Sequence, residues 1–204
     1  DFATDDLEAE LQREVTAGLA YHRTELDKDG MVAALQLMVE TPLGPLVGGA
    51  RLRDVAGRDR LDELDFELPL VGGDRPRGTL PVSAIGELLA DRLPADDPVA
   101  RYAAQLGDAQ MTSAVRGYLT GSIDLVLRVR GEDGVQRFAV VDYKTNWLGS
   151  PDLPLTTWHY RPEAAAGEMA RGHYWLQAVL YLVALHRYLR WRLPDYEPER
   201  NLAG

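Results

Sequence analysis

The chain has 204 residues, is 46% hydrophobic, and carries a formal net charge of −10 at pH 7. That length and apolar content allow one large domain or two small ones with a sizeable core. The acidic balance argues against a free-standing nucleic-acid binder, because phosphate contacts need clustered Lys and Arg. It leaves open a catalytic site for a phosphodiester, where metal ions neutralise the local charge or a partner supplies the basic track. Cysteine is absent, so there is no disulfide framework, which fits a cytoplasmic protein. The longest apolar run, WLQAVLYLVAL at 175–185, is too short to span a bilayer, and no membrane partner is expected. The opening DFATDD lacks the basic-then-apolar pattern of a secretory signal.

In chain order, residues 5–25 predict an amphipathic helix. Asp5 or Asp6 can cap it, and Leu7, Leu11, Val15 and Leu19 recur every four residues. Residues 30–40 predict a second apolar helix, stopped by Pro42 and Gly44. Residues 62–71 alternate, with Leu64, Phe66, Leu68 and Leu70 on one side and Glu63, Asp65 and Glu67 on the other, as in a half-buried strand. A Gly/Pro/Arg loop is expected at 72–79, then helices near 81–92 and 97–106. Residues 117–130 and 135–144 read as two strands joined by GEDG, a hairpin signal. Residues 150–170 hold Pro151, Pro154 and Pro162 and are expected to be mostly irregular. A long helix over 171–192 ends before Pro194, and its arginines at 187–192 suit a helix C-terminus. The order implies an α/β or α+β fold, with helices covering a central sheet.

Of the 22 basic residues only Lys28 and Lys144 are lysine. Lys144 stands two residues after Asp142 at the end of an apolar run. A compact, mobile ammonium at that point is something a planar guanidinium does not replace, although a surviving surface lysine reads the same way. Asp124 sits mid-strand among Ile123, Leu125 and Val126. Burying either carboxylate alone is costly, so each needs a partner, a water channel or a cation.

Register decides whether the two aspartates meet. A three-residue loop, Glu132-Asp133-Gly134, with Gly134 in the left-handed position, sets residue 131 against 135. Asp124 then falls opposite Asp142, with β-carbons roughly 5 Å apart on one face, and Lys144 follows on that face two residues along. A four-residue loop instead sends the aspartates to opposite faces, unless a bulge restores the phase. On the first register a divalent ion between the carboxylates, with an ammonium alongside, resolves their repulsion, and oxygen donors suit Mg²⁺ or Mn²⁺. The bland alternative is that Asp142 and Lys144 form a salt bridge at a strand end and Asp124 binds a loop backbone.

An aspartate on one strand followed by D-x-K on the next resembles the PD-(D/E)xK nuclease superfamily. GYLTGSIDLVLRV, FAVVDYKTNWLG and YWLQAVLYLVALHRYLRWRLPDY together resemble the C-terminal nuclease domains of the RecB family of helicase-nucleases. ELDFELPL at 63–70 also matches a strand that precedes the motif there. The resemblance implies a single domain over 1–204 with a restriction-endonuclease-like core: a central mixed sheet whose hairpin carries the site, flanked by helices. Residues 1–110 would be mostly helical with one strand, and 111–204 would hold the catalytic hairpin and long helix.

The resemblance further implies that Asp124 and Asp142 ligate metal, that the Tyr143 carbonyl is a further ligand, and that Lys144 is the catalytic lysine. Glu63, Gln177 and Tyr181 would support the site. Gln177 and Tyr181, four residues apart, share one helix face; a packed polar pair is the bland reading. The implied cofactor is Mg²⁺, with Mn²⁺ as the alternative, and ATP enters only through an attached helicase. The implied partners are DNA, as a single strand, the rest of a RecB-like subunit, and RecC- and RecD-like subunits. The implied setting is double-strand break processing and recombinational repair.

RecB-type domains also carry a metal-binding histidine upstream of the segment resembling residues 1–20, and a further strand past residue 204. The chain therefore reads as a fragment. His22 lies outside that motif, and His159, His173 and His186 have no ligand spacing with the aspartates; His173, nearest the candidate helix face, is expected to play a surface role, with contact to substrate as the alternative. Two other readings compete: a non-catalytic interaction module of a helicase-nuclease complex, which the intact Asp124, Asp142 and Lys144 disfavour, and a stand-alone repair nuclease, against which NWLG and the ALHRYL helix argue.

Overall fold

Asp6 accepts a hydrogen bond from the Ala9 amide and so caps the first helix, α1 (Leu7–His22). Asp27 does the same for α2 (Lys28–Glu40) through Gly30. Short 3₁₀ turns at Pro45–Val47, Leu52–Asp54 and Gly57–Asp59 lead into strand β1 (Arg60–Pro69). Then come β2 (Leu80–Pro81), α3 (Val82–Arg92), α4 (Pro98–Leu106), β3 (Ala114–Val115), β4 (Tyr118–Arg130) and β5 (Gln136–Val141). The chain continues through α5 (Pro162–Arg171), α6 (Tyr174–Arg192), α7 (Pro198–Asn201) and β6 (Leu202–Ala203). This computed structural model describes residues 1–71, 77–107, 114–131 and 133–203. Residues 72–76 of the expected loop and Glu132 of the expected turn lie outside them.

The α/β class is as expected, with a mixed sheet in the order β1-β4-β5-β6. β4 and β5 are antiparallel, and β5 and β6 are parallel. Strand β6 was not foreseen, nor was the small β2–β3 pair. The chain divides into two compact units, Asp1–Leu64 with Ile123–Asp142 and Leu189–Gly204, and Asp65–Ser122 with Tyr143–Tyr188.

In the first unit, Leu7, Leu11 and Val15 of α1 and Val32 and Val39 of α2 are buried together with Leu125 and Leu127 of β4. Val129 and Val141 pack against the same cluster. These are odd-numbered strand residues, so the two helices cover that face of the hairpin. In a sheet the side chain alternates, so Asp124, Val126 and Arg128 belong to the other face. Arg128 binds Asp59 there, Nη2 to Oδ1 at 2.7 Å, and its guanidinium holds the Asp59 carboxyl below the usual carboxylate range.

In the second unit α3 and α4 pack closely. A Cβ on Gly86 would stand 2.7 Å from the Ala103 carbonyl oxygen and 2.9 Å from the Gly107 nitrogen, so only glycine permits this approach. Tyr102, Ala103 and Leu106 of α4 are buried.

Three expectations need correction. Strand β5 ends at Val141, so Asp142, Tyr143 and Lys144 lie past the ladder rather than within a strand to 144. Residues 150–170 are more regular than their prolines suggest: a 3₁₀ turn spans Thr157–Tyr160, and Pro162 opens α5. Proline is accommodated in the first turn of a helix, where its missing amide has no partner to lose. Lastly, the helix expected over 171–192 starts at Tyr174, because His173 adopts a left-handed φ of 55° and separates α5 from α6.

Candidate functional site

The hairpin turn fixes the register. The Gly131 amide donates to the Val135 carbonyl at 2.9 Å, the Gly134 amide returns to the Gly131 carbonyl at 2.9 Å, and Gly134 has φ 75°. That is the left-handed conformation expected of it. Asp133 reinforces the turn by accepting from the Val135 amide at 3.0 Å and from both Arg137 terminal nitrogens. These bonds, the guanidinium foremost, hold the Asp133 carboxyl down to about 2.

From this turn the paired residues run Arg130 with Gln136, Arg128 with Phe138, Val126 with Val140, and Leu125 with Val141. The next step of the same register is Asp124 with Asp142. Both residues are half-buried; Asp124 belongs to the face that α1 and α2 leave uncovered, and Asp142 follows the last paired residue, Val141. The three-residue turn is therefore the alternative that the protein adopts. Among the described residues no group of three or more His, Asp or Glu side chains gathers as a metal-binding cluster. The side-chain donors available here are two carboxylates. Such a hard-oxygen set fits Mg²⁺, which retains several waters and is commonly bound by one or two carboxylates together with substrate phosphates.

Glu63 also lies in the first unit, exposed on β1 with a left-handed φ of 54°. For a residue with a Cβ that conformation costs about 1–3 kcal/mol and tends to mark functional or over-determined positions.

The remaining site residues belong to the second unit. The exposed Lys144 donates from Nζ to Gln177 Oε1 at 2.8 Å. Gln177 Nε2 donates to the Tyr181 hydroxyl at 2.7 Å. Tyr181 meets Phe66 edge-on, with ring centroids 6.0 Å apart. Phe66 in turn lies over Gly121, where a Cβ would come within 2.7 Å of the ring. Gln177 and Tyr181 are thus joined to the lysine rather than merely packed together. The helix phase explains this: Tyr174, Gln177 and Tyr181 recur at i, i+3 and i+7 and form one stripe of α6.

Beside this chain lies an open apolar cavity of about 290 Å³, lined by Phe66, Leu119, Gly121, Leu176, Leu180 and Tyr181 among others. His173 is exposed, as expected, and has a defined partner: its Nδ1 lies 2.8 Å from the hydroxyl of Tyr102, which is only 1% exposed. Burial pushes the Tyr102 phenol up from its usual range. His159 serves locally, accepting at Nδ1 from the Thr156 amide at 3.0 Å. His22 ends α1, edge-on to Tyr21.

The sequence reading missed three residues around the lysine. The Tyr174 ring lies under Lys144 Nζ, 4.4 Å from the ring centroid. Asn146 Nδ2 lies 3.2 Å from the Tyr174 hydroxyl and donates to Glu168 Oε1 at 2.9 Å. Tyr174 sits three residues before Gln177, so the helical stripe already contained the signal. Glu168, on a segment expected to be irregular, gave none.

The architecture so far is that of an α/β protein with a mixed sheet, a two-carboxylate hairpin and a hydrogen-bonded lysine. No protein-family model matches the chain. Among curated proteins, it is 48% identical over 202 residues to RecBCD enzyme subunit RecB of Mycolicibacterium smegmatis, covering 98% of this chain and 18% of that protein. It is 46% identical over 212 residues to the subunit of the same name from Mycobacterium tuberculosis, covering all of this chain and again 18% of the relative. The Escherichia coli subunit RecB is 35% identical over 156 residues, which is 76% of this chain and 11% of that protein. The chain is therefore homologous along its whole length to RecB subunits of RecBCD enzymes, and it spans under a fifth of the length of these relatives. No helix among the described residues is long and apolar enough to cross a membrane.

Proposed function

We propose that this chain is the C-terminal nuclease domain of a RecB-like helicase-nuclease, with a restriction-endonuclease-like core, and that it hydrolyses DNA phosphodiester bonds with a divalent cation. The observation that supports this reading is the β4–β5 register, which ends at Leu125 with Val141 and which, continued by one step, would set Asp124 against Asp142. The D-Y-K spacing and the kinship with RecB support it.

Asp124 and Asp142 would hold Mg²⁺, or Mn²⁺, through carboxylate oxygens, with the Tyr143 carbonyl as a further oxygen donor. The bound cation would lower the pKa of water and polarise a phosphoryl oxygen. Lys144 would orient the attacking water or stabilise charge developing on the phosphate oxygens. Gln177 would fix the direction of the ammonium, and Tyr181 would fix Gln177. The substrate would be a single DNA strand fed by the attached helicase, which uses the ATP. RecC- and RecD-like subunits would complete the assembly, and its work would be double-strand break processing in the cytoplasm. The acidic net charge accords with this division, since other parts of the assembly would deliver the strand.

The test is Asp142→Ala and Lys144→Ala, each made in the intact subunit. Loss of DNA degradation with normal unwinding is expected. Degradation at the parental rate would overturn the assignment.

A further inference from the structure

We infer that Tyr174 is a positioning residue for the Lys144 ammonium, locked in place by Asn146 and Glu168. The inference rests on the nuclease reading for its catalytic consequence, but not for its geometry.

Lysine has a flexible four-carbon stem, and an exposed ammonium normally samples many directions. Lys144 is exposed, yet its ammonium meets two groups of α6. Gln177 accepts from it at 2.8 Å, and the face of Tyr174 lies 4.4 Å from it. A hydrogen bond gives direction. A ring face adds electrostatic attraction and a wall that closes off one side. Together they restrict the ammonium in a way that either contact alone does not.

The ring is itself restrained. Asn146, two residues after the lysine, lies 3.2 Å from the Tyr174 hydroxyl. The Asn146 amide donates to Glu168 on α5, and the Asn146 carbonyl accepts from the Tyr160 hydroxyl at 2.9 Å. The segment after D-Y-K is therefore fastened to the same ring that meets the lysine. The Tyr174 ring face meets Lys144 and its hydroxyl meets Asn146, so its effect on the site runs through Lys144.

The sequence supplies an internal reference for the test, because Lys28 and Lys144 are its only lysines. In the full-length protein, brief competitive acetylation followed by peptide mass spectrometry reads the reactivity of Lys144 against Lys28. Cleavage of single-stranded DNA, with kcat and KM resolved, reads the consequence. Tyr174→Leu is expected to change Lys144 labelling relative to Lys28 by several-fold and to lower kcat by tenfold or more with KM little changed. Tyr174→Phe, which keeps the ring, is expected to retain most of the rate. Asn146→Ala, which keeps the ring and frees its hydroxyl, is expected to fall between them.

Unchanged labelling in Tyr174→Leu overturns the inference, whether or not kcat falls, because a purely structural role leaves the ammonium where it was. Altered labelling with parental kcat also overturns it. Should Lys144→Ala itself leave cleavage intact, the nuclease reading fails, and the labelling ratio alone then decides whether the tyrosine holds the lysine.

Discussion

Lys144 Nζ and Gln177 Oε1, 33 residues apart in sequence, are joined at 2.8 Å, and the amide nitrogen of the same glutamine is committed to Tyr181. The glutamine thus has its acceptor turned to the lysine because its donor is used elsewhere. Replacing Gln177 by leucine removes both bonds while keeping helix propensity. On the proposed nuclease function, the expected result is a kcat for DNA cleavage lowered about tenfold, the usual scale for one charge-assisted hydrogen bond of roughly 1.5 kcal/mol. Steady-state kinetics in the assembled enzyme would check it, and Tyr181→Phe should produce a smaller loss in the same direction.

Gly121 and Phe66 make a contact that only a residue without Cβ allows, because the added carbon would sit 2.7 Å from the ring. An aromatic ring cannot bend aside as an unbranched chain does. Gly121→Ala is expected to destabilise by about 1–3 kcal/mol through overpacking. In a Phe66→Leu background most of that penalty should disappear. A double-mutant cycle by urea denaturation measures the coupling, and strict additivity would contradict the close approach.

At Gly86 a new Cβ would meet backbone atoms, the Ala103 oxygen and the Gly107 nitrogen, at 2.7 and 2.9 Å. Backbone atoms in a helix have nowhere to go. Gly86→Ala should therefore cost about 2–3 kcal/mol, against the stabilisation of up to about 1 kcal/mol that the same change brings in an unobstructed helix. The sign of the change in Tm is the measurement.

The Asp133 carboxyl, held to about 2 by Arg137 and the Val135 amide, links the hairpin turn to pH. Its folded value is depressed, so its stabilising contribution is complete above the ordinary carboxylate range and is lost as pH falls from about 4 through about 2. Both side chains are solvent-accessible, and salt will weaken the effect. Comparing the parent with Asp133→Asn, the stability gap should be widest near neutral pH and close at pH 2. A carbon-detected NMR titration of the carboxyl gives the value directly.

The hairpin was legible in the sequence because its determinants are local. A glycine supplies the left-handed turn residue, and the turn length sets the register that runs as far as Leu125 and Val141. The capped helices α1 and α2 were legible for the same reason. The end of β5 at Val141 was not, since the apolar pattern runs smoothly into D-Y-K. Strand β6 has two residues, too few to leave any periodicity. The prolines of 150–170 misled because Pro162 begins a helix as readily as it interrupts one. Around the lysine, Gln177 and Tyr181 could be placed by helix phase, whereas Asn146 and Glu168 acquire their roles only when two segments 22 residues apart are folded together.

The short parallel pairing of Phe138 and Ala139 with Leu202 and Ala203 has a mechanical side. The Asn201 side chain adds a bond to the Gln136 carbonyl at 2.9 Å. Strand β5 is thereby clasped along both edges, by β4 on one flank and by residues 201–203 on the other. Tension or a bulky attachment near residue 203 would be transmitted to the strand that leads into Asp142, so a fusion joined there could slacken the hairpin without touching either aspartate.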